Sequence, residues 1–315
     1  MRQSSTKKGL KYRIFQWLAI PLLIACGAMA NEMASEEVTP QEAIAALKVA
    51  GLEMNDEEID MLLPTLEEYR EAYAEMRETP IDNGVSPSLE FDPRPEGFIM
   101  PTDSFFQYPR PVTAPSPLTS DSSALAFEGI TILATRLRLG QITSVELTSY
   151  FLNRLRKYDE QLHCVISLTE ELALEQAARA DSELAAGKDR GILHGIPYGA
   201  KDLFATKRYR TTWGATPYRD QAFDYDAAAI EKMEEAGAIL VAKLSLGALA
   251  WGDVWYGEMT RNPWDPATGS SGSSAGSASA VSAGLVPFAL GTETLGSIVS
   301  PSTTCGVTGL RPTFG

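Results

Sequence analysis

At 315 residues the chain is long enough for one large or two ordinary domains, and 44% hydrophobic with 22% charged residues is the composition of a globular protein. Lys and Arg total 27 against 41 Asp and Glu, a net charge of −14, which argues against a nucleic-acid binder because such proteins need cations to displace phosphate counterions. Three cysteines, with no Cys-x-x-Cys pair and no Cys/His cluster, support neither a disulfide framework nor a structural zinc site.

Arg2, Lys7, Lys8, Lys11 and Arg13 precede the apolar run 14–25 with no acid among them, the layout of a secretory signal. That run is about 12 residues, too short for a span of roughly 20. Leu23-Ile24-Ala25-Cys26 resembles a bacterial lipobox, which makes Cys26 the lipidation candidate and a membrane tether, and Ala28-Met29-Ala30 is a competing peptidase site. The reading is therefore residues 1–30 as an export signal and a protein that is lipid-tethered, periplasmic or secreted. Residues 31–100 carry 18 acids against 4 bases, so the acidity belongs to an N-terminal extension, 31–123.

Within that extension Thr39-Pro40-Gln41-Glu42 opens a helix with a capping residue, proline at the first helical position and an acid at the positive dipole end. A second helix is expected over 56–76 from Ile59, Leu62, Leu63, Leu66, Tyr69 and Tyr73, with Pro64 kinking or splitting it. Nine prolines between 80 and 117 then mark a linker wrapping a domain.

From residue 124 helix and strand patterns alternate. Thr143-Ser144-Val145-Glu146 reads as a capping box ahead of the apolar face Val145, Leu147, Phe151, Leu152, Leu155 and Tyr158. A strand at Val165-Ile166, a helix over 170–186 ended by Gly187, a helix over 226–237, a buried strand over 239–242, a small-residue helix over 275–283 and a strand over 286–290 follow. This alternation implies an α/β fold.

The Gly/Ser run 268–277 has linker composition but leads directly into an apolar segment, so its small residues imply close backbone packing. Gly272-Ser273-Ser274-Ala275-Gly276 has the spacing of a nucleophile elbow centred on Ser274. That reading lacks a following histidine, since His163 and His194 both precede it, and Asn262-Pro263-Trp264-Asp265-Pro266 is turn chemistry where a strand is needed. No Gly-Lys-Ser/Thr closes the run as a phosphate loop requires. Both histidines read as structural, and Cys164 and Cys305 as buried small hydrophobes.

The longer pattern resembles the amidase signature family. Leu193-His194-Gly195-Ile196-Pro197-Tyr198-Gly199-Ala200-Lys201-Asp202-Leu203 is similar to its lysine motif. Ala236 to Lys243, Gly272 to Ser277, Ala283 to Pro287, Gly291 to Ser297 and Cys305 to Thr313 follow in the family's order. The resemblance spans roughly residue 137 to the end. It implies a mixed central sheet flanked by helices and a Ser–Ser–Lys triad with Ser297 as nucleophile, Ser273 as the bridging serine after a cis peptide bond, and Lys201 as base. Such a base needs burial to lower its proton affinity toward about 7–8. It also implies an oxyanion hole from the backbone amides of Thr294, Leu295, Gly296 and Ser297.

Three departures accompany it. Leu295 stands where the family commonly has glycine and is strained if the position demands a positive φ. Val299 replaces a frequent arginine, and Leu244-Ser245-Leu246-Gly247 replaces an asparagine-containing and acidic stretch. Family members continue beyond the motif at which this chain stops, so the amidase domain, 124–315, is expected to hold only the N-terminal part of the fold. Such a chain is expected to be poorly soluble and weakly active or inactive, its sheet edge exposed. The resemblance implies hydrolysis of a small-molecule carboxylic amide without metal or cofactor. The alternatives are a glutamyl-tRNA amidotransferase A-like subunit, against which export and the acidic charge count, and an inactive lipoprotein.

Overall fold

The computed structural model describes residues 37–82, 85, 94, 97–99, 115–118 and 122–312. The segment expected to direct export, with Cys26, and most of the proline-rich stretch lie outside the described residues. By its internal packing the chain divides into two compact units, Met1–Glu90 and Phe91–Gly315. Among the described residues no helix is long and apolar enough to cross a membrane.

Among the described residues the first unit holds two helices. Thr39 caps α1, Pro40–Ala50, through a reciprocal capping box with Glu42, and Gly51 at φ 72° closes it. Asn55 and Glu58 cap α2, Asp56–Glu78, in the same way. Pro64 lies inside α2 and does not split it, correcting that expectation: proline removes a single intrahelical donor, and the turns on either side keep theirs. Ile59 is buried, whereas Tyr69 and Tyr73 of the expected apolar face are exposed.

In the second unit a 3₁₀ turn, Ser122–Phe127, leads into α3, Ile130–Arg138, a helix not anticipated from sequence. Arg136 is buried there and donates to Glu128 Oε2 (2.7 Å), Gln141 Oε1 (2.7 Å) and the Ser116 carbonyl (2.8 Å). It thus holds the last proline-rich residues against the unit.

Thr143 and Glu146 form the expected capping box on α4, Ser144–Leu162. The strand β1, Val165–Leu168, and α5, Glu170–Ala185, follow as their patterns indicate; β2, Pro197–Lys201, is a further buried strand within the lysine motif; and α6, Ala228–Glu235, and β3, Ile239–Leu244, again match their patterns. The turn expected over 262–266 narrows to Pro263 and Trp264, joining the short pair β4, Arg261–Asn262, and β5, Asp265–Gly269, so a strand does precede Gly272, correcting that expectation. The small-residue helix α7 is Ala275–Ser282. The strand expected over 286–290 shrinks to β6, Ala289–Leu290, because only these residues find a ladder partner. A last short helix, α8, Val299–Cys305, has no side-chain cap and no legible period.

The main sheet has the order β1-β3-β2-β6, with β2 parallel to both neighbours and β1 antiparallel to β3. This is the mixed α/β sheet expected. One core joins α4, α5 and α7 to β3 through Leu152, Leu155, Ala177, Val241, Leu244 and Ala280. Another joins β2, α6 and β3 through Tyr198, Ala200, Ile230 and Leu240. Pairing of Tyr198 with Leu240 and of Gly199 with Ala242 leaves Val241 as an extra residue in β3. Such a bulge re-phases the strand: beyond it Lys243 lies opposite Ala200 and Leu244 opposite Lys201. Gly199 leaves room for this, since a Cβ there would sit 2.3 Å from Leu244 Cδ1. Among the described residues β6 pairs with β2 alone, and a cavity of about 800 Å³ opens beside it.

Candidate active site

Parallel strands deliver the residues at their carboxyl ends to a common crevice. Here β2 ends at Lys201, β6 is followed by the 291–298 loop, and the N-terminus of α7 lies beside them. Glycine makes the approach possible. A Cβ on Gly276 would fall 2.4 Å from the Cys164 carbonyl oxygen and 2.5 Å from Ser245 N, and one on Gly272 would fall 1.8 Å from the Gly252 carbonyl oxygen. The run of small residues is thus a packing device, and the peptide bond between Gly272 and Ser273 is cis.

Lys201 is fully buried. Its Nζ donates to Ser273 Oγ at 2.9 Å, Thr292 Oγ1 at 2.8 Å and the Thr292 carbonyl at 3.3 Å. Desolvation pushes its pKa down to about 7, against the opposing pull of the Glu293 carboxylate. Ser273 is buried as well. Ser297 is half-buried and joined to this pair through the backbone, its carbonyl accepting from Ser274 N at 2.9 Å. Among the described residues the Ser297 hydroxyl makes no hydrogen bond.

The loop before Ser297 is organised by Glu293. Its carboxylate accepts from Ile298 N (2.7 Å) and Val299 N (2.8 Å), and these bonds, with one from the Gly296 amide, hold its pKa down although desolvation opposes them. The amides of Thr294, Leu295 and Ser297 donate to no acceptor among the described residues. The left-handed conformation falls on Gly296, at φ 96°, and not on Leu295. The leucine is therefore unstrained, and its side chain is 90% exposed.

Ser274 is excluded as a nucleophile by its own bonds. Its Oγ donates to the Thr292 carbonyl at 3.1 Å and accepts from Thr292 N at 3.2 Å, fastening α7 to the 291–298 loop. His194 is buried, with Nδ1 accepting from Arg190 N at 3.2 Å and Nε2 lying 3.2 Å from Glu183 Oε2. His163 is the left-handed cap of α4. Both are structural. Burial raises the Cys164 thiol well above its ordinary value and pushes Cys305 up to about 12, which leaves both inert at neutral pH.

The Amidase family model matches residues 146–315. The chain belongs to the amidase family. The A subunit of the glutamyl-tRNA(Gln) amidotransferase from Methylococcus capsulatus is 44% identical over 187 residues, covering 58% of this chain and 38% of that protein. Among solved structures, the peptide amidase from Stenotrophomonas maltophilia is 36% identical with a TM-score of 0.56, covering 58% of this chain and 40% of that one. A fatty acid amide hydrolase is 26% identical with a TM-score of 0.55, covering 58% and 33%. The matched region thus spans between a third and two fifths of the length of these relatives.

Three groups of this amidase site escape a reading by motif. Thr292 supplies two of the three acceptors around Lys201, Glu293 shapes the loop, and Lys243 forms a second buried cation 2.7 Å from Asp202. Burial pulls the Lys243 pKa down while the Asp202 carboxylate holds it up. All three lie inside the family's motifs, but Thr292 and Lys243 meet partners far along the chain and Glu293 caps the loop that follows it, contacts that no motif spacing announces.

Proposed function

We propose that this chain carries the nucleophilic core of an amide hydrolase, with Lys201 as base, Ser273 as proton relay and Ser297 as nucleophile. The observation that carries the reading is the buried Lys201 amine within hydrogen-bond reach of Ser273 at a pKa of about 7. A neutral amine has two N–H bonds and a lone pair. The Thr292 carbonyl is acceptor only, so the lone pair must face a hydroxyl, and Ser273 O–H can then donate to Nζ. Ser273 in turn accepts the proton of Ser297 as its Oγ attacks the amide carbonyl carbon. Free amides at Thr294, Leu295 and Ser297 suit a developing oxyanion, each such donor being worth about 3 kcal/mol in the transition state. The C–N bond breaks as the amine leaves with the relayed proton, and water attacks the Ser297 ester to release the acid and restore the serine.

The test is intact-protein and peptide mass spectrometry after treatment with a fluorophosphonate probe. A Ser297 adduct that is lost in Lys201→Ala supports the assignment; an adduct indifferent to Lys201, or none at all, overturns it. A second reading, a protein supplying ammonia for tRNA-dependent amidation, is favoured by the 44% identity to amidotransferase components. Export with lipidation at Cys26 opposes it. Fractionation of cells and mass spectrometry of the mature N-terminus separate the two, since a cytosolic chain with no lipid favours the amidotransferase reading.

A further inference from the structure

β2 and β3 run parallel and end side by side at Lys201 and Leu244. Successive strand residues face opposite sides of a sheet, so beyond the Val241 bulge Lys243 shares the face of Ala200, and Lys201 projects from the other face towards Ser273. Asp202, the next residue after Lys201, lies 2.7 Å from Lys243 Nζ through its Oδ1, and neither side chain is exposed. Lys243 Nζ also donates to Thr211 Oγ1 (2.8 Å), the Arg210 carbonyl (3.1 Å) and Thr206 Oγ1 (3.2 Å). Asp202 Oδ2 accepts from Thr212 N (2.7 Å) and Thr212 Oγ1 (2.6 Å). The Asp202 backbone is held too, its N–H donating to the Leu244 carbonyl and its carbonyl accepting from Trp213 N.

A buried ion pair is a poor route to stability, because apolar residues of similar volume often do as well. This pair is placed where it has another effect. It fastens the residue that follows Lys201 to the strand beside it, from the side opposite the Ser273 contact, and draws the 206–212 loop over the strand ends. Lys201 can keep a lowered proton affinity only while its surroundings stay dry, and a loosened strand end would admit water.

We propose that the Asp202–Lys243 pair is a positioning device for Lys201, pinning the carboxyl end of β2 so that the amine stays seated against Ser273 and Thr292. The proposal rests on the reading of Lys201 as the base. Asp202 and Lys243 act through Lys201 and are not catalytic residues. The charged group acting on Lys201 from the loop after β6 is Glu293, while Asp202 adjoins it in the chain and Lys243 faces away on β3. The pair carries no net charge and neither member is among the charges acting on Lys201, so a changed Lys201 titration in the double variant reports solvent access.

The test follows the Lys201 titration directly, by NMR of the full chain labelled at lysine Cε, with Lys201→Met assigning the signal. The variants are Lys243→Met and, because it strands a buried carboxylate, the double variant Asp202→Asn with Lys243→Met. In the double variant the Lys201 midpoint is expected to rise by about one unit or more, with cooperative unfolding retained and Ser297 labelling at pH 7 slowed about tenfold. An unmoved midpoint overturns the proposal, and so does slowed labelling without a moved midpoint, which would be ordinary loss of stability. A parent chain in which Lys201 titrates near 7 while Ser297 never labels would overturn the base assignment and leave the pair's effect on Lys201 measurable.

Discussion

A lysine sealed from water carries the cost of its burial in the protonated form. Lys201 titrates near 7 in the folded chain and near 10.5 when unfolded. Between those values the unfolded state binds a proton that the folded state does not, so stability from this group rises with pH across that window. Lys201→Met has no charge to bury and is expected to unfold at a higher temperature than the parent at pH 6.5. The gain is on the order of 2 kcal/mol once the lost hydrogen bonds are set against the relieved desolvation, and it vanishes as pH approaches 10.5; thermal unfolding at the two pH values checks it. On the proposed reading the same group also sets the reactivity of Ser297. Ser297 labelling by a fluorophosphonate is expected to rise with pH through about 7 as Lys201 loses its proton, and to lose that limb in Lys201→Ala. The neighbouring loop gives a further contrast. Gly296, at φ 96°, is expected to tolerate alanine poorly, losing about 1–2 kcal/mol and most labelling. Leu295→Gly should leave labelling within a few-fold of the parent, because the leucine is unstrained and exposed. Leu295 is thus a departure from the family pattern that its own backbone geometry makes harmless.

Among the elements, those whose signals are local are the ones a sequence reader recovers. Thr39, Asn55 and Thr143 each form reciprocal caps with the glutamate three residues on, an interaction complete within one turn. β6 is a strand only because Gly199 and Ala200 lie beside it, so nothing local marks it. The pairing of β2 with β3 is a case between the two. Both strands read as apolar runs, but their register depends on Val241 bulging and on Gly199 making space for Leu244. Gly199→Ala is expected to destabilise by about 1–3 kcal/mol, measurable as a lower urea midpoint, since the new methyl must displace the Leu244 side chain from a ladder position.

For the whole molecule the decisive contacts are long in sequence. Lys201 and Ser273 are 72 residues apart, and Lys201 and Thr292 are 91 apart. Lys243→Met leaves Asp202 buried without its cation and is expected to cost about 3–5 kcal/mol, whereas adding Asp202→Asn should recover most of that loss; chemical denaturation of the two variants and the parent gives the comparison. Residue order alone suffices for the α/β class, for the capped helices, and for Lys201, Ser273 and Ser297 as the candidates, because caps, periods and motifs are short-range patterns. Long-range packing settles the rest. It sets the bulge that turns Lys243 away from Lys201, the sheet order that brings β6 beside β2, and the assignment of the left-handed backbone to Gly296. It also recruits Thr292, Glu293 and the Asp202–Lys243 pair to the site. Each of these follows from which groups lose water together, and that is fixed by the meeting of segments tens of residues apart.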